Sequence, residues 1–456
     1  MVKIPLIFRG ARIPDTIMIH PTEIGQLPRG RHGDCMRLGE YPDKSGMATA
    51  NETAAGKAKP AAITKFAPAL LQEGRLLLRM GIGKPLIAQA TIRAADHGTT
   101  VEEELLACGK IDEAIYFEAV AEMLDLNFMA EIDAHRVQDM DMLDTQLVRP
   151  ETLRIHHASK PPITVVVPSL SKLGHLSAIL RRTPQLKGLL AISTPSAVRK
   201  AAWEAGRLRR VTATTRHLFE TRPVQSARIT FWGKQGFYAG IALYSMLVMG
   251  IVLPMTSLLA LHVALTLLFV SNFLIRLYAL NCSSIVERAA APPKRDLTAG
   301  PLPVYSILIA LYKEKAVAAQ LISALDRIDW PRARLDIKLI CEEDDHETIM
   351  TLQALALSSE YEIVLVPVHM PRTKPKALSY ALPGVRGDFV TVYDAEDRPH
   401  PSQLREAYAA FVAASPEVIC LQAPLVVTNG QQSWLIPTVS EHDSEGDSQQ
   451  PTNLNL

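Results

Sequence analysis

The chain is poor in anything that would tie a fold together covalently or through zinc. Its five cysteines, at positions 35, 108, 282, 341 and 420, share no close spacing, and no HExxH or CxxC pattern occurs. A disulfide framework and a structural zinc site are disfavoured, and a reducing compartment is expected. Long runs of one charge are missing as well. The formal net charge is +1 over 456 residues, so nucleic acid is not the expected partner. The N-terminus, MVKIPLIFRGARIPD, has only a four-residue apolar run before Arg9, which is too short for a signal peptide. Neither GxGxxG nor GxxxxGKS/T is found in the C-terminal region, which argues against dinucleotide-dependent dehydrogenases and P-loop NTPases.

What is present falls into segments. Residues 1–65 carry no sustained period and are rich in Gly, Lys, Ala and Pro, which suggests a disordered tail. From 66 to 150 apolar residues recur at three- and four-residue spacings, as in a helical domain. Within it Thr100 and Glu103 fit a capping box, Gly109 closes one short helix and Asp112 opens the next. Residues 151–225 read as a small α/β region, with strands at ITVVVP and GLLAIST and Pro195 early in a following helix. His156 and His157 have no partners at ligand spacing and are ordinary histidines.

Residues 237–275 contain two charge-free stretches, Phe237 to Leu253 and Met255 to Ile275, separated by Pro254. Each approaches the roughly 17–25 residues that cross a bilayer as a helix. Arg222, Arg228 and Lys234 precede the pair, Arg276, Arg288, Lys294 and Arg295 follow it, and the turn is uncharged. A multi-pass inner-membrane protein with both soluble parts cytoplasmic is expected from this bias. The other reading is one buried helical hairpin in a soluble fold.

After a Pro- and Ala-rich linker, residues 296–430 alternate strand and helix, and the apolar strands imply a mainly parallel sheet covered on both faces. The carboxyl ends of successive strands are polar: Tyr312, Lys313 and Glu314; then Glu342, Glu343, Asp344 and Asp345; then Asp394, Glu396 and Asp397, with Lys374 and Lys376 opening a short helix. Open α/β sheets bind ligands along that edge. Carboxylates at Asp394 and Glu396, directly after the strand DFVTVY, suit Mg²⁺ or Mn²⁺ held together with substrate phosphates. The stretch Asp394 to Asp397 also fits an acidic turn that caps the next helix. The end, 431–456, turns polar and acidic and is expected to be a disordered tail.

Four blocks, SILIALYKE, LICEEDDHET, KPKALSYAL and YDAEDRPHP, resemble in order and spacing the nucleotide-sugar half of family 2 glycosyltransferases. The resemblance is to bacterial membrane enzymes related to cellulose and hyaluronan synthases and covers about residues 302 to 425. It implies a GT-A fold that follows a two-helix transmembrane hairpin. It also implies a nucleotide-sugar donor, a polysaccharide acceptor, and inverting, metal-dependent transfer for exopolysaccharide synthesis. By position, Tyr312 and Glu314 would lie beside the nucleoside, Glu343 and Asp344 would hold the base, and Lys374 would contact the diphosphate or sugar. Asp394 and Glu396 would take the DxD role on the metal.

The family's catalytic base and its acceptor-holding QxxRW motif lie well beyond the DxD, and only 59 residues follow Asp397. The resemblance therefore implies an incomplete domain with no assigned base; His442 and Asp443 are not offered for it. A non-catalytic membrane adaptor that binds nucleotide or a partner is the alternative. A second resemblance covers TTVEEELLACGKIDEAIYFEAVAEMLDLNFM, which is similar to the N-terminal domain of type II secretion ATPases. It implies cyclic di-GMP as a ligand, with a docking or packing module as the other reading.

Overall fold

The computed structural model describes residues 6–9, 68–159, 161–226, 228–229, 231–286 and 301–423. All but the last three residues of the linker read at 289–303 and the whole tail read at 431–456, with His442 and Asp443, lie outside the described residues, as does most of 1–65. In chain order the elements begin with β1 (Leu6–Arg9), α1 (Pro68–Arg79), α2 (Lys84–His97), α3 (Val101–Ala107), α4 (Glu113–Leu124) and β2 (Asn127–Phe128). There follow α5 (Thr145–Val148), β3 (Thr152–Ile155), β4 (Ile163–Val166), α6 (Leu173–Arg182), β5 (Leu190–Ile192), α7 (Pro195–Ala205) and α8 (Arg207–Thr221). The apolar pair is α9 (Gly233–Val252) and α10 (Pro254–Val286). Beyond it come β6 (Tyr305–Leu311), α11 (Lys315–Leu325), β7 (Leu335–Glu342), α12 (His346–Ala354) and β8 (Tyr361–Val366). The last elements are α13 (Lys374–Ala381), β9 (Phe389–Tyr393), α14 (Gln403–Ala413) and β10 (Cys420–Gln422).

Two compact units result. One takes in Leu208–Ala291 and His369–Arg372, and so contains most of α8 with α9 and α10. Its helices Gly233–Val252 and Pro254–Leu280 are long and apolar enough to cross a membrane. Pro254 opens α10, where its missing N–H costs nothing, and Ser257 donates its hydroxyl to the carbonyls of Met249 and Leu253, both at 2.8 Å, across the break between the helices.

The other unit holds the rest of the described chain. Its N-terminal part is a helical cluster seated on a four-stranded sheet of order β2-β5-β4-β3, in which β2, β5 and β4 are parallel and β3 is antiparallel. The local signals are met in side-chain geometry. Thr100 Oγ1 accepts from the Glu103 N–H at 3.1 Å while Glu103 accepts from the Thr100 N–H at 3.1 Å, and Asp112 caps α4. Helices α1–α4 and α6 share one apolar core with β5, including Leu77, Val101, Phe117, Val120, Leu173 and Ile192. The regions on either side of residue 150 are thus packed together. Gly98 ends α2 with φ +68°, and a Cβ there would stand 2.4 Å from Pro301, so conformation and close approach both require glycine.

The C-terminal part is a six-stranded sheet of order β10-β1-β9-β6-β7-β8. Strands β9, β6, β7 and β8 run parallel, with Ile309 opposite Tyr393, Leu311 opposite Cys341 and Glu342 opposite Val366. Strand β1 lies antiparallel between β9 and β10, pairing Leu6 with Val392 on one side and Gln422 on the other. It falls in the stretch expected to be disordered. Four residues are too few to carry a period, and the partners that recruit them are remote in sequence.

Every residue of β7 is buried, but its two faces differ. Leu335, Ile337, Leu339 and Cys341 point into a core shared with α11, α12 and α14, where Trp330 meets Tyr305 edge-on at 5.1 Å. The opposite face carries Asp336, Lys338 and Glu342. Lys338 is wholly buried between Asp336, at 3.0 Å, and Glu362 of β8. Asp336 also accepts from Ser306 Oγ at 2.6 Å and from Arg386 Nε at 2.8 Å. Burial opposes its charge, but Lys338 and Arg386 hold its carboxyl well below the usual range. The network is closed from the N-terminal part: Trp203 Nε1 donates to Glu362 at 3.0 Å and Arg199 lies 3.5 Å from the same carboxylate.

Removing one member of such a network leaves a buried charge uncompensated. Lys338→Ala is expected to destabilise the protein by about 3–5 kcal/mol. Thermal unfolding of the detergent-solubilised chain measures this; an unchanged midpoint would rule out an ionised network.

Candidate active site

The topology places the site. From β6 the chain steps outward through β7 to β8, and α13 then carries it back across the sheet to β9 on the far side of β6. The order of strands reverses at β6, and the carboxyl ends of β9, β6, β7 and β8 form one edge. Ligands of open α/β sheets lie outside the carboxyl ends at such a reversal.

The loop after β6 presents Tyr312, with its ring exposed and Lys313 Nζ 5.3 Å from the ring centroid. Lys313 has φ +61°, a left-handed conformation that costs a non-glycine residue on the order of 1 kcal/mol. Two hydrogen bonds offset it. The Lys313 N–H donates to Asp345 Oδ2 at 2.5 Å, and the Glu314 N–H donates to Thr348 Oγ1 at 3.1 Å. Asp345 also caps α12 by accepting from the Thr348 N–H at 3.3 Å. Burial raises its pKa, but these hydrogen bonds outweigh burial and hold the carboxyl below the ordinary value. One carboxylate thus joins the loops after β6 and β7.

At the end of β7, Glu342 is buried against Lys376 Nζ at 2.8 Å. Glu343 is partly exposed; its N–H donates to the Val366 carbonyl at 2.9 Å, and its Oε2 accepts from Arg207 Nη2 at 2.5 Å. Asp344 is exposed on the same turn. At the end of β9, Asp394 is buried, its N–H donates to Asp397 Oδ2 at 2.8 Å, and the Asp397 N–H returns to the Asp394 carbonyl at 3.1 Å. Asp397 therefore closes the turn, and Glu396 stands exposed at its tip. Thr373 caps α13, which places Lys374 in its first turn and in an ion pair with Asp394.

Of the residues expected from the sequence, Lys374 and Asp394 come together directly, Tyr312 and Glu314 share one loop, and Glu343 with Asp344 occupies the neighbouring strand end. Asp345 and Arg207 were not among the expected site residues. The first is hidden within a run of four acids; the second lies 136 residues from its partner, a distance at which spacing carries no signal.

Among the described residues, no three or more His, Cys, Asp and Glu side chains form a ready metal cage. Asp394 and Glu396 do offer the one or two hard oxygen ligands with which Mg²⁺-type ions are held when phosphates supply the rest. Lys374 already places a positive charge on Asp394. The residues fit a divalent ion. A cavity of about 510 Å³ lies at the opposite, amino edge of the sheet, beside Arg334, Asp388 and Phe389, away from this chemistry.

Fold and edge define an open, mainly parallel α/β domain with a polar carboxyl edge. Residues 302–443 match the model of the glycosyltransferase-like family 2. The chain is 29% identical over 139 residues to a beta-monoglucosyldiacylglycerol synthase of Nostoc sp., over 30% of this chain and 29% of that protein. The same figures hold for the beta-monoglucosyldiacylglycerol synthase of Trichormus variabilis. The chain thus spans under a third of the length of these curated relatives. Among solved structures, a mannosyltransferase from Pyrobaculum calidifontis in complex with GDP-Man and Mn²⁺ is 22% identical, covering 35% of this chain and 45% of that one, with a TM-score of 0.28. A structure of MshE with cdg is 18% identical, covering 29% of this chain and 97% of that one, with a TM-score of 0.21.

Asp345→Ala removes the α12 cap and the acceptor for Lys313, an expected loss of about 1–3 kcal/mol. Because the folded pKa is depressed, this contribution is present above the unfolded value near 4 and is lost as pH falls through the lower folded value. Acid unfolding of wild type and variant measures it. Their stability difference should shrink below about pH 4; a difference that grows there would contradict the assignment.

Proposed function

We propose that the chain binds a nucleotide-diphosphate sugar, with UDP as the nucleotide, along the β9-β6-β7 edge and transfers the sugar at a membrane surface. The observation that carries this reading is the Lys374–Asp394 pair at the strand reversal. A cation from the first turn of α13 and a buried carboxylate at the end of β9 are held together there. In this reading Tyr312, Glu314, Glu343 and Asp344 take the nucleoside, and Lys374 neutralises charge on the departing diphosphate. Asp394 and Glu396 would hold Mg²⁺ or Mn²⁺, which when bound supplies further charge stabilisation to the leaving group. Transfer with inversion requires a base for the acceptor hydroxyl, and no described residue is assigned that role.

The acceptor is a hydroxyl delivered at the bilayer. A growing polysaccharide is the first reading, from the resemblance to polysaccharide synthases. A diacylglycerol-based lipid is the second, favoured by the names of the curated relatives. Helices α9 and α10 are read as a membrane hairpin with the soluble parts on the cytoplasmic side. The support is their length and the cluster of Arg222, Arg228, Lys234 and Arg276 at its flanks.

The test is UDP binding by the full chain in detergent, with and without Mn²⁺. Metal-dependent binding that weakens about tenfold or more in Asp394→Ala is expected, since a charged contact contributes about 1.5–3 kcal/mol. Donor hydrolysis that vanishes in the same variant would mark an enzyme. Binding without turnover would favour the adaptor reading, and no binding by the folded chain would remove the donor-site assignment.

A further inference from the structure

The N-terminal part reaches the donor edge through α7. Trp203 stacks on Tyr380 of α13 with ring centroids 5.6 Å apart and donates to Glu362 at 3.0 Å. Gly384 makes room for it: a Cβ there would stand 2.4 Å from the Trp203 ring. The helix ends at Gly206, and the next residue, Arg207, bridges Glu204 at 2.6 Å and Glu343 at 2.5 Å. Tyr380 belongs to the helix that also presents Lys374. Glu343 and the last turn of α13 are therefore both contacted from the α7–α8 junction, Glu343 by Arg207 and α13 by Trp203.

Arg207 occupies Oε2 of Glu343. An ionised carboxylate has about four lone-pair sites, so Oε1 stays open to a nucleobase N–H while the guanidinium keeps the group charged and fixed in direction. Glu204 holds the guanidinium in turn, and Glu343 and Arg207 are each about one-third exposed, within reach of a ligand entering the edge.

We infer that Arg207 is a positioning residue of the donor site, contributed by the N-terminal part, which orients Glu343 for the nucleobase and makes nucleotide affinity depend on how α7 is seated. This rests on the donor-site reading above, and Glu343 is the group through which it acts.

The experiment measures UDP affinity in the presence of Mn²⁺ for the full chain in detergent, comparing wild type, Arg207→Gln, Arg207→Lys, Glu343→Gln, the Arg207→Gln/Glu343→Gln double variant and Asp394→Ala. Arg207→Gln should weaken binding about five- to tenfold, Arg207→Lys should recover part of the loss, and Arg207→Gln should cause no further loss in the Glu343→Gln background. Thermal midpoints show which variants keep the fold, and Arg207→Lys carries the comparison if Arg207→Gln does not. Wild-type affinity in a folded Arg207→Gln variant, with Glu343→Gln and Asp394→Ala both weakened, would overturn the inference and leave the donor site standing. Losses that simply add in the double variant would overturn it too, because Arg207 would then act on the nucleotide directly. If UDP is not bound, or Asp394→Ala binds as wild type, the donor-site reading fails and this inference falls with it.

Discussion

The return of the chain from β8 to β9 is the constraint on which the rest depends. Parallel strands need a crossover, and a right-handed crossover with a helix can place the next strand only by passing over a face of the sheet. Here that helix is α13, and its first turn arrives over the edge where β9 will end. Thr373 starts the helix and so fixes where Lys374 points. Asp394 follows β9 directly, so the pairing of β9 with β6 fixes where the carboxylate stands. The two charges meet because backbone topology brings them together.

The sheet face over which α13 passes also buries charged groups. Asp336, Lys338 and Glu362 are buried there, and isolated charges in such a place would be strongly destabilising. Arg386 completes the set from within the C-terminal part, while Arg199 and Trp203 complete it from α7. A polar interface of this kind specifies its partner geometrically, since a displaced α7 would leave Glu362 short of donors. The N-terminal part is thus a wall of the C-terminal sheet as well as a module with its own core.

Much of the architecture was legible in the residues. Thr100, Glu103, Asp112 and Pro195 announce helix starts through local chemistry, and the strands at 305–311, 335–342 and 389–393 announce themselves by apolar β-branched runs. Asp394 and Lys374 were found because strand ends in parallel sheets share one edge. What stayed hidden depends on distance along the chain. Strand β1 is four residues long and needs β9 and β10 to exist at all. The roles of the acids at 342–345 separate only in three dimensions: Glu342 turns inward to Lys376, Glu343 to Arg207, and Asp345 back to the β6 loop. Asp397, beside two expected ligands, turns out to close its own turn. No periodicity distinguishes these fates, because neighbouring carboxylates have the same propensities.

One unit contains residues from both sides of the apolar hairpin: β1 and α7 precede α9, and β6 to β10 follow α10. Leu6 pairs with Gln422 in a single sheet, so those two points of the chain share one compartment. The parity of the crossings is then set by the fold rather than by flanking charge alone. Helices that traverse a bilayer between these strands must do so an even number of times, because an odd number would pull the sheet apart across the membrane. A bilayer-spanning hairpin of α9 and α10 would satisfy that parity, and α9 spanning alone would not.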